Sequence, residues 1–230
     1  MGFAATADPG RFVEAVKWFR ARFPLTEEQL AEFKDYAGDR AWTVAGVAQL
    51  DVVLQVWNEI GHAIENGTPL DEFKKRVRAQ LTEAWGKADS PRIETIFRTN
   101  VQTAYNRGRF VQLTDPAVQS LRPFWKYDSI LDSRTSKVCN ARQGVTLPAS
   151  DPWWNSNYPP LHHRCRSAVR SLTESEAKKQ PAAKRQPPSG AESPGPGFGL
   201  SPANEEPWEP DAKKYPPELW DEFQNKQAKR

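Results

Sequence analysis

The chain has 230 residues, 38% of them hydrophobic, with 20 prolines, two cysteines and a formal net charge of +3. That length can bury a core in one or two domains, while the proline content leaves part of the chain unpacked. No apolar run approaches the roughly 20 residues of a membrane-spanning helix, and two cysteines cannot build the cross-linked scaffold of a small secreted fold.

Phe12, Val16, Phe19 and Phe23 recur at helical spacing over 11–23, and Pro24 ends that segment. Thr26 with Gln29 has the form of a capping box, followed by Leu30 and Phe33 on one face until Gly38-Asp39 breaks it. Val47, Leu50, Leu54, Trp57 and Ile64 then trace a long amphipathic stripe closed by Asn66-Gly67. Thr68-Pro69 opens the next helix, with Thr as N-cap, Pro at the first helical position, and Phe73, Val77, Leu81 and Trp85 as its face. Ser90-Pro91 repeats the start signal. The fifth helix carries Ile93, Ile96, Phe97, Val101 and Ala104 and reaches about Phe110. Such rows are usually core, and His62 has no cysteine or second histidine at i±3 or i±4, so it reads as a packed or surface residue. Residues 1–90 are therefore expected to form a helical packing and docking module.

After Pro123 the texture changes. Residues 124–130, 144–147 and 166–172 mix aromatic, β-branched and alternating residues and predict three strands joined by long loops. Loops of that length need a staple or a function. From Thr173 the chain carries ten of its prolines with Lys and Gly, the composition of a flexible linker. Aromatic residues return near the end, where Leu219, Trp220 and Phe223 within 215–223 could form one face of a docking peptide. The fold class expected is α+β: a helical module over 1–90, a small β-containing unit over 91–172, and a disordered tail over 173–230.

Both cysteines and two of the three histidines fall within 27 residues: Cys139, His162, His163 and Cys165. Thiolate with imidazole is the donor set Zn²⁺ prefers. A metal here would tie the segment after the first strand to the loop before the last. Neighbouring side chains of an extended chain point to opposite faces, so one histidine is expected to ligate. His162, with i, i+3 spacing to Cys165, is favoured over His163. Asp132, Asp151 or water would complete the set. Reduced buried cysteines without metal, or a Cys139–Cys165 disulfide, remain the competing readings, the disulfide being at odds with a reducing compartment.

Residues 91–172 carry 12 basic and 5 acidic side chains, and ten of the twelve are Arg. The flanking segments, 1–90 and 173–230, are net acidic. Arg98, Arg107, Arg109, Arg134, Arg142 and Arg166 are the candidates for an anionic or nucleic-acid partner, against the alternative of ordinary ion pairs. In Asp132-Ser-Arg-Thr135, Asp can cap the following helix, Thr can bond the backbone, and Arg134 can pair with a carboxylate or phosphate. No histidine-pair helix motif, nucleophile elbow or phosphate-cradling loop is present, so an enzyme is not expected. The runner-up is a metal-dependent hydrolase or nuclease, using Cys139 with a histidine or a zinc-bound water with Asp132 or Asp151 as base. A DNA-binding module is the third class. The first residues lack the features of a secretory signal, so a cytosolic or particle-enclosed protein is expected.

The helix Arg92–Arg109, Trp125-Lys-Tyr127, Asp132-Ser-Arg-Thr135, Cys139, Gly144, Tyr158-Pro159-Pro160-Leu-His162 and Cys165-Arg166 together resemble the phage Mu F-like minor head proteins, the phage head morphogenesis family. The resemblance covers roughly residues 40–172. It implies a minor capsid protein of a tailed phage or prophage-derived particle. Such a protein would act near the portal during head assembly, contact portal or major capsid subunits, with packaged DNA as a further candidate partner, and reside in the virion head and, during assembly, in the host cytoplasm. Where relatives often carry further cysteines, this chain has Ser136 and Ser167, which removes two thiolates from any shared ligand set.

Overall fold

A computed structural model describes residues 12–26, 28, 29, 31, 41, 42, 50–85 and 91–204. The described helices of the N-terminal half include α1 (Val13–Arg20), α2 (Leu50–Asn66), α3 (Leu70–Trp85) and α4 (Pro91–Leu113). A parallel two-residue pair, β1 (Phe23–Pro24) and β2 (Ala41–Trp42), crosses beside them. The Thr26–Gln29 capping box is present, each backbone amide bonding the other's side chain at 3.0 and 3.2 Å. Leu30, Phe33, Gly38-Asp39, Val47 and Ser90 lie outside the described residues.

The helices bury one apolar core. Helix α3 contributes Phe73, Val77 and Leu81, three of the four residues on the face its spacing predicts, and the Phe73 ring lies 4.9 Å from that of Phe97 on α4. Helix α2 differs from the expected stripe. Val53, Val56, Trp57, Ile60 and Ile64 are buried while Leu54 is half-buried, because α1, α3 and α4 all pack against α2 and one stripe cannot face three neighbours. Each fully buried side chain of this size contributes about 1.5–3 kcal/mol. At Gly108 an added Cβ would fall 2.6 Å from the Ala15 backbone nitrogen, so only glycine lets α1 lie so close on α4.

The C-terminal half is a sheet unit. Its elements are α5 (Pro116–Leu121), β3 (Phe124–Asp128), α6 (Lys137–Arg142), β4 (Thr146–Pro148), α7 (Trp154–Asn157), β5 (Ala168–Leu172) and α8 (Glu174–Lys178). The order is β4-β3-β5, antiparallel throughout, and the strands overlap the three segments the sequence marks, β4 running one residue past its segment. On the central strand Trp125 opposes Leu147, and Tyr127 opposes Val169. Both aromatic side chains point inward, alternating as a half-buried strand requires. Phe110, Trp125, Trp154 and Tyr158 meet edge to face at 5.3–5.9 Å, the favoured aromatic geometry. Gly144, at φ +79, turns the chain from α6 into β4.

Helix α4 belongs to both halves. Ile93, Phe97 and Ala104 face the first core, while Phe110 and Leu113 face the second. Side chains of Gln102 and Asn106 donate to the Ser167 carbonyl at 3.0 and 3.1 Å, and Tyr158 donates back to the Asn106 carbonyl.

The stretch from Thr173 to Asn204 differs from the linker its composition predicts. A Thr173–Glu176 capping box starts α8, and Ala177 is buried. Beyond it the chain lies along the sheet unit as a strap. Arg142 donates to the Glu192 carbonyl at 3.0 Å, and the amides of Gly195, Gly199 and Ser201 donate to the carbonyls of Leu161, Pro160 and Asn155 at 2.9–3.1 Å. Isolated backbone bonds hold it, and these leave no periodicity in the sequence. The candidate docking residues Leu219, Trp220 and Phe223 lie outside the described residues. Among the described residues no helix is long and apolar enough to cross a membrane.

Candidate functional site

Cys139 sits in the first turn of α6. Ser136 caps that helix, its hydroxyl accepting the Cys139 amide at 3.2 Å. The cap directs the thiol onto β3, where it meets the Tyr127 hydroxyl at 3.4 Å. His162 and Cys165 come from the turn between α7 and β5. The Cys165 amide closes this turn on the His162 carbonyl at 3.2 Å, and a cis Pro159-Pro160 peptide precedes it. Inside the turn Arg164 takes a left-handed φ of 58, a conformation that costs a non-glycine residue about 1 kcal/mol. Arg164 is anchored on α4: its amide bonds Thr99 and its guanidinium bonds the Pro91 carbonyl, both at 3.1 Å.

The two loops converge. The Cys139 sulfur is 3.6 Å from the Cys165 sulfur and 3.1 Å from Nε2 of His162, and all three donor atoms lie within 4.8 Å of one another. Both cysteines are free thiols, 2–3% exposed, with His162 half-buried beside them. Nδ1 of His162 bonds the His163 carbonyl at 2.7 Å. The carbonyl can only accept, so Nδ1 carries the proton and Nε2 faces the sulfurs. Ser136 Oγ approaches the same Nε2 at 2.7 Å. Beneath them Ser129 bonds both the Cys139 carbonyl and Ser167 Oγ at 3.1 Å.

The sulfurs titrate as a pair. A hydrogen bond from Cys165 pulls the Cys139 thiol well below its ordinary range against the cost of burial, and His162 and Ser136 add to the pull. The same bond, reinforced by burial, pushes Cys165 up. Hydrogen bonding to Cys139 raises His162. A thiolate beside an imidazole with a second thiol in contact is a soft, electron-rich donor set.

Other expected donors lie elsewhere. His163 is exposed and packs edge-on to Phe198. Asp151 accepts the Trp153 amide at 2.8 Å. Asp132 does not cap α6, because Ser136 holds that position. Its carboxylate instead accepts the Arg134 amide at 2.8 Å and two bonds from Arg166, which hold the carboxyl far below its usual range. Thr135 bonds backbone as expected, donating to the Ile130 carbonyl at 2.6 Å and accepting the Asp132 amide at 2.8 Å. Arg134 pairs with the Asp132 carboxylate at 3.6 Å.

The arginine set is largely engaged inside the molecule. Arg142 is buried, donating to Asn157 and to the Val138 and Glu192 carbonyls, so it is not an anion contact. Arg166 is committed to Asp132, Arg98 pairs with Glu94 at 2.6 Å, and Arg107 stacks over Trp18. Arg98, Arg109 and Arg134 remain exposed. Sequence reasoning counted Ser136 only as a lost thiolate. Its Ser-x-x-Cys spacing to Cys139 was the available signal that it faces the pocket.

Bundle, sheet unit and pocket define an α+β module in which two distant loops are gathered at a Cys/His cluster. The chain belongs to the Phage Mu protein F like protein family, whose model matches residues 54–170. It is 31% identical over 199 residues to the putative capsid assembly protein F of Escherichia phage Mu, covering 77% of this chain and 43% of that protein. It is 36% identical over 148 residues to the Mu-like prophage FluMu F protein of Haemophilus influenzae, covering 59% and 35%. The chain thus spans less than half the length of these relatives. No solved structure matches it.

Proposed function

We propose that this chain is a non-catalytic protein of head assembly in a Mu-like phage or prophage-derived particle, residing in the virion head and working beside the portal by contact with portal or major capsid subunits. The observation that carries the reading is the extent of the family match. It runs from within α2 into β5 and takes in most of the bundle's core and the sheet unit with its Cys/His pocket, and a relative along this stretch bears the name capsid assembly protein. Burial of both cysteines beneath a well-packed sheet supports a structural use of the pocket, since a hydrolytic centre keeps a coordination position open to substrate. Engagement of Arg107, Arg142 and Arg166 within the fold favours protein contact over DNA contact.

The test is particle assembly from the full set of head genes with and without this one. Purified heads should contain the chain, cross-linked to portal or major capsid subunits, and omission should reduce the yield of filled heads. Unchanged yield and absence of the chain from purified heads would overturn the reading. Cross-linking to DNA alone would replace it with the nucleic-acid alternative.

A further inference from the structure

We propose that Cys139, His162 and Cys165 bind one zinc ion, with Ser136 at the fourth position as a replaceable oxygen donor. The inference stands apart from the assembly role, resting on geometry alone. Zinc bonds sulfur at about 2.3 Å and imidazole nitrogen at about 2.0–2.1 Å, so a tetrahedral centre separates two sulfurs by about 3.8 Å and sulfur from nitrogen by about 3.5 Å. The observed separations are 3.6 and 3.1 Å. For these two pairs an ion needs the atoms to move apart by only a few tenths of an ångström, and the Cys165 sulfur lies within 4.8 Å of Nε2.

The hydrogen bonding makes the same point. Nε2 of His162 has one lone pair, yet both Ser136 Oγ and Cys139 Sγ converge on it. One in-plane position on a ring nitrogen cannot serve two hydrogen-bonding partners well, whereas a cation between the four atoms accepts an electron pair from each of them. Nδ1 already bonds the His163 carbonyl, the outer contact that orients a ligating imidazole. Along the sequence the donors form two pairs, Ser136-x-x-Cys139 and His162-x-x-Cys165. That is the spacing of a zinc knuckle, with a hydroxyl where a thiolate would complete it. The frame is fixed before any ion arrives: the α6 cap sets the first pair, and the closed turn anchored to α4 sets the second. A neutral hydroxyl is a poor partner for zinc beside thiolate and imidazole, so the fourth bond is the weak one.

The full chain, purified anaerobically with reductant and dialysed against Zn²⁺, should hold about one zinc per molecule by elemental analysis, with two titratable thiols after denaturation and chelation. Co²⁺ in its place should give the visible bands of tetrahedral coordination and sulfur-to-metal charge transfer. Ser136→Cys should bind Zn²⁺ on the order of tenfold tighter or more in a chelator competition, and should raise the charge-transfer intensity by about half as two sulfurs become three. This gain does not depend on a variant that has lost its fold. No zinc uptake by either protein would overturn the proposal, as would equal uptake by a folded Cys139→Ala/Cys165→Ala variant, or a disulfide in protein isolated from cells. Tight binding indifferent to Ser136→Cys would remove Ser136 from the fourth position.

Discussion

In the helical bundle, Phe73, Val77 and Leu81 are buried among apolar side chains whose main requirement is volume. In the sheet unit, Tyr127, Ser129, Cys139 and Arg142 are equally buried, and each holds a specific polar partner. The first kind of core accepts substitution as long as space is filled. The second is demanding, since a buried donor that loses its acceptor bears its full desolvation cost. One chain thus joins a tolerant region to an exacting one, and the exacting one contains the Cys/His pocket.

The contrast can be tested by substitution, starting from the largest effect. Trp125→Ala removes the ring against which Phe110, Trp154 and Tyr158 pack and should cost about 3–5 kcal/mol in denaturant unfolding. Its hydrogen-exchange protection should fall first in β3–β5. Arg142→Met keeps length but leaves Asn157 and two carbonyls without their donor. It should cost about 2–3 kcal/mol and speed proteolytic cutting within residues 185–200; unchanged cutting would show that the strap does not depend on Arg142. Leu81→Met, a volume-conserving change in the bundle, should cost less than about 1.5 kcal/mol. A larger loss would erase the distinction between the two cores.

The smallest effect is a pH dependence. Asp132 has its carboxyl lowered from an ordinary 3.8 by Arg166 and the Arg134 amide. A lowered carboxyl stabilises the fold above its unfolded value, and the contribution is lost as pH falls through the folded value. Wild type should therefore exceed Asp132→Asn in melting temperature at neutral pH, with the difference shrinking below about pH 4. A gap as large at pH 2 as at neutral pH would mean that charge is not what Asp132 supplies.

The elements legible in the sequence are those with a repeating pattern. The Phe73–Leu81 face and the Thr26–Gln29 box follow from spacing, and the three strands from clustered aromatic and β-branched residues. Cys139, His162 and Cys165 stood out because the residue types are rare. Other features depend on single contacts at long sequence separation. Nothing local announces that Gly195 and Gly199 will bond the carbonyls of Leu161 and Pro160, so proline and glycine there read as a linker. Arg142 looks like a surface cation until Asn157 and Glu192 are placed around it. Ser136 does two jobs, and the helix cap conceals its approach to His162.

The strap fixes an origin for the chain that follows. Ser201 is bonded to the Asn155 carbonyl beside α7. Leu219 lies fifteen residues beyond Asn204, and a fully stretched polypeptide advances at most about 3.6 Å per residue. Any contact made by Leu219 must therefore fall inside a sphere of about 50 Å radius centred near that corner of the sheet unit. In the head assembly proposed above, that radius would limit which neighbouring subunits Leu219 can touch.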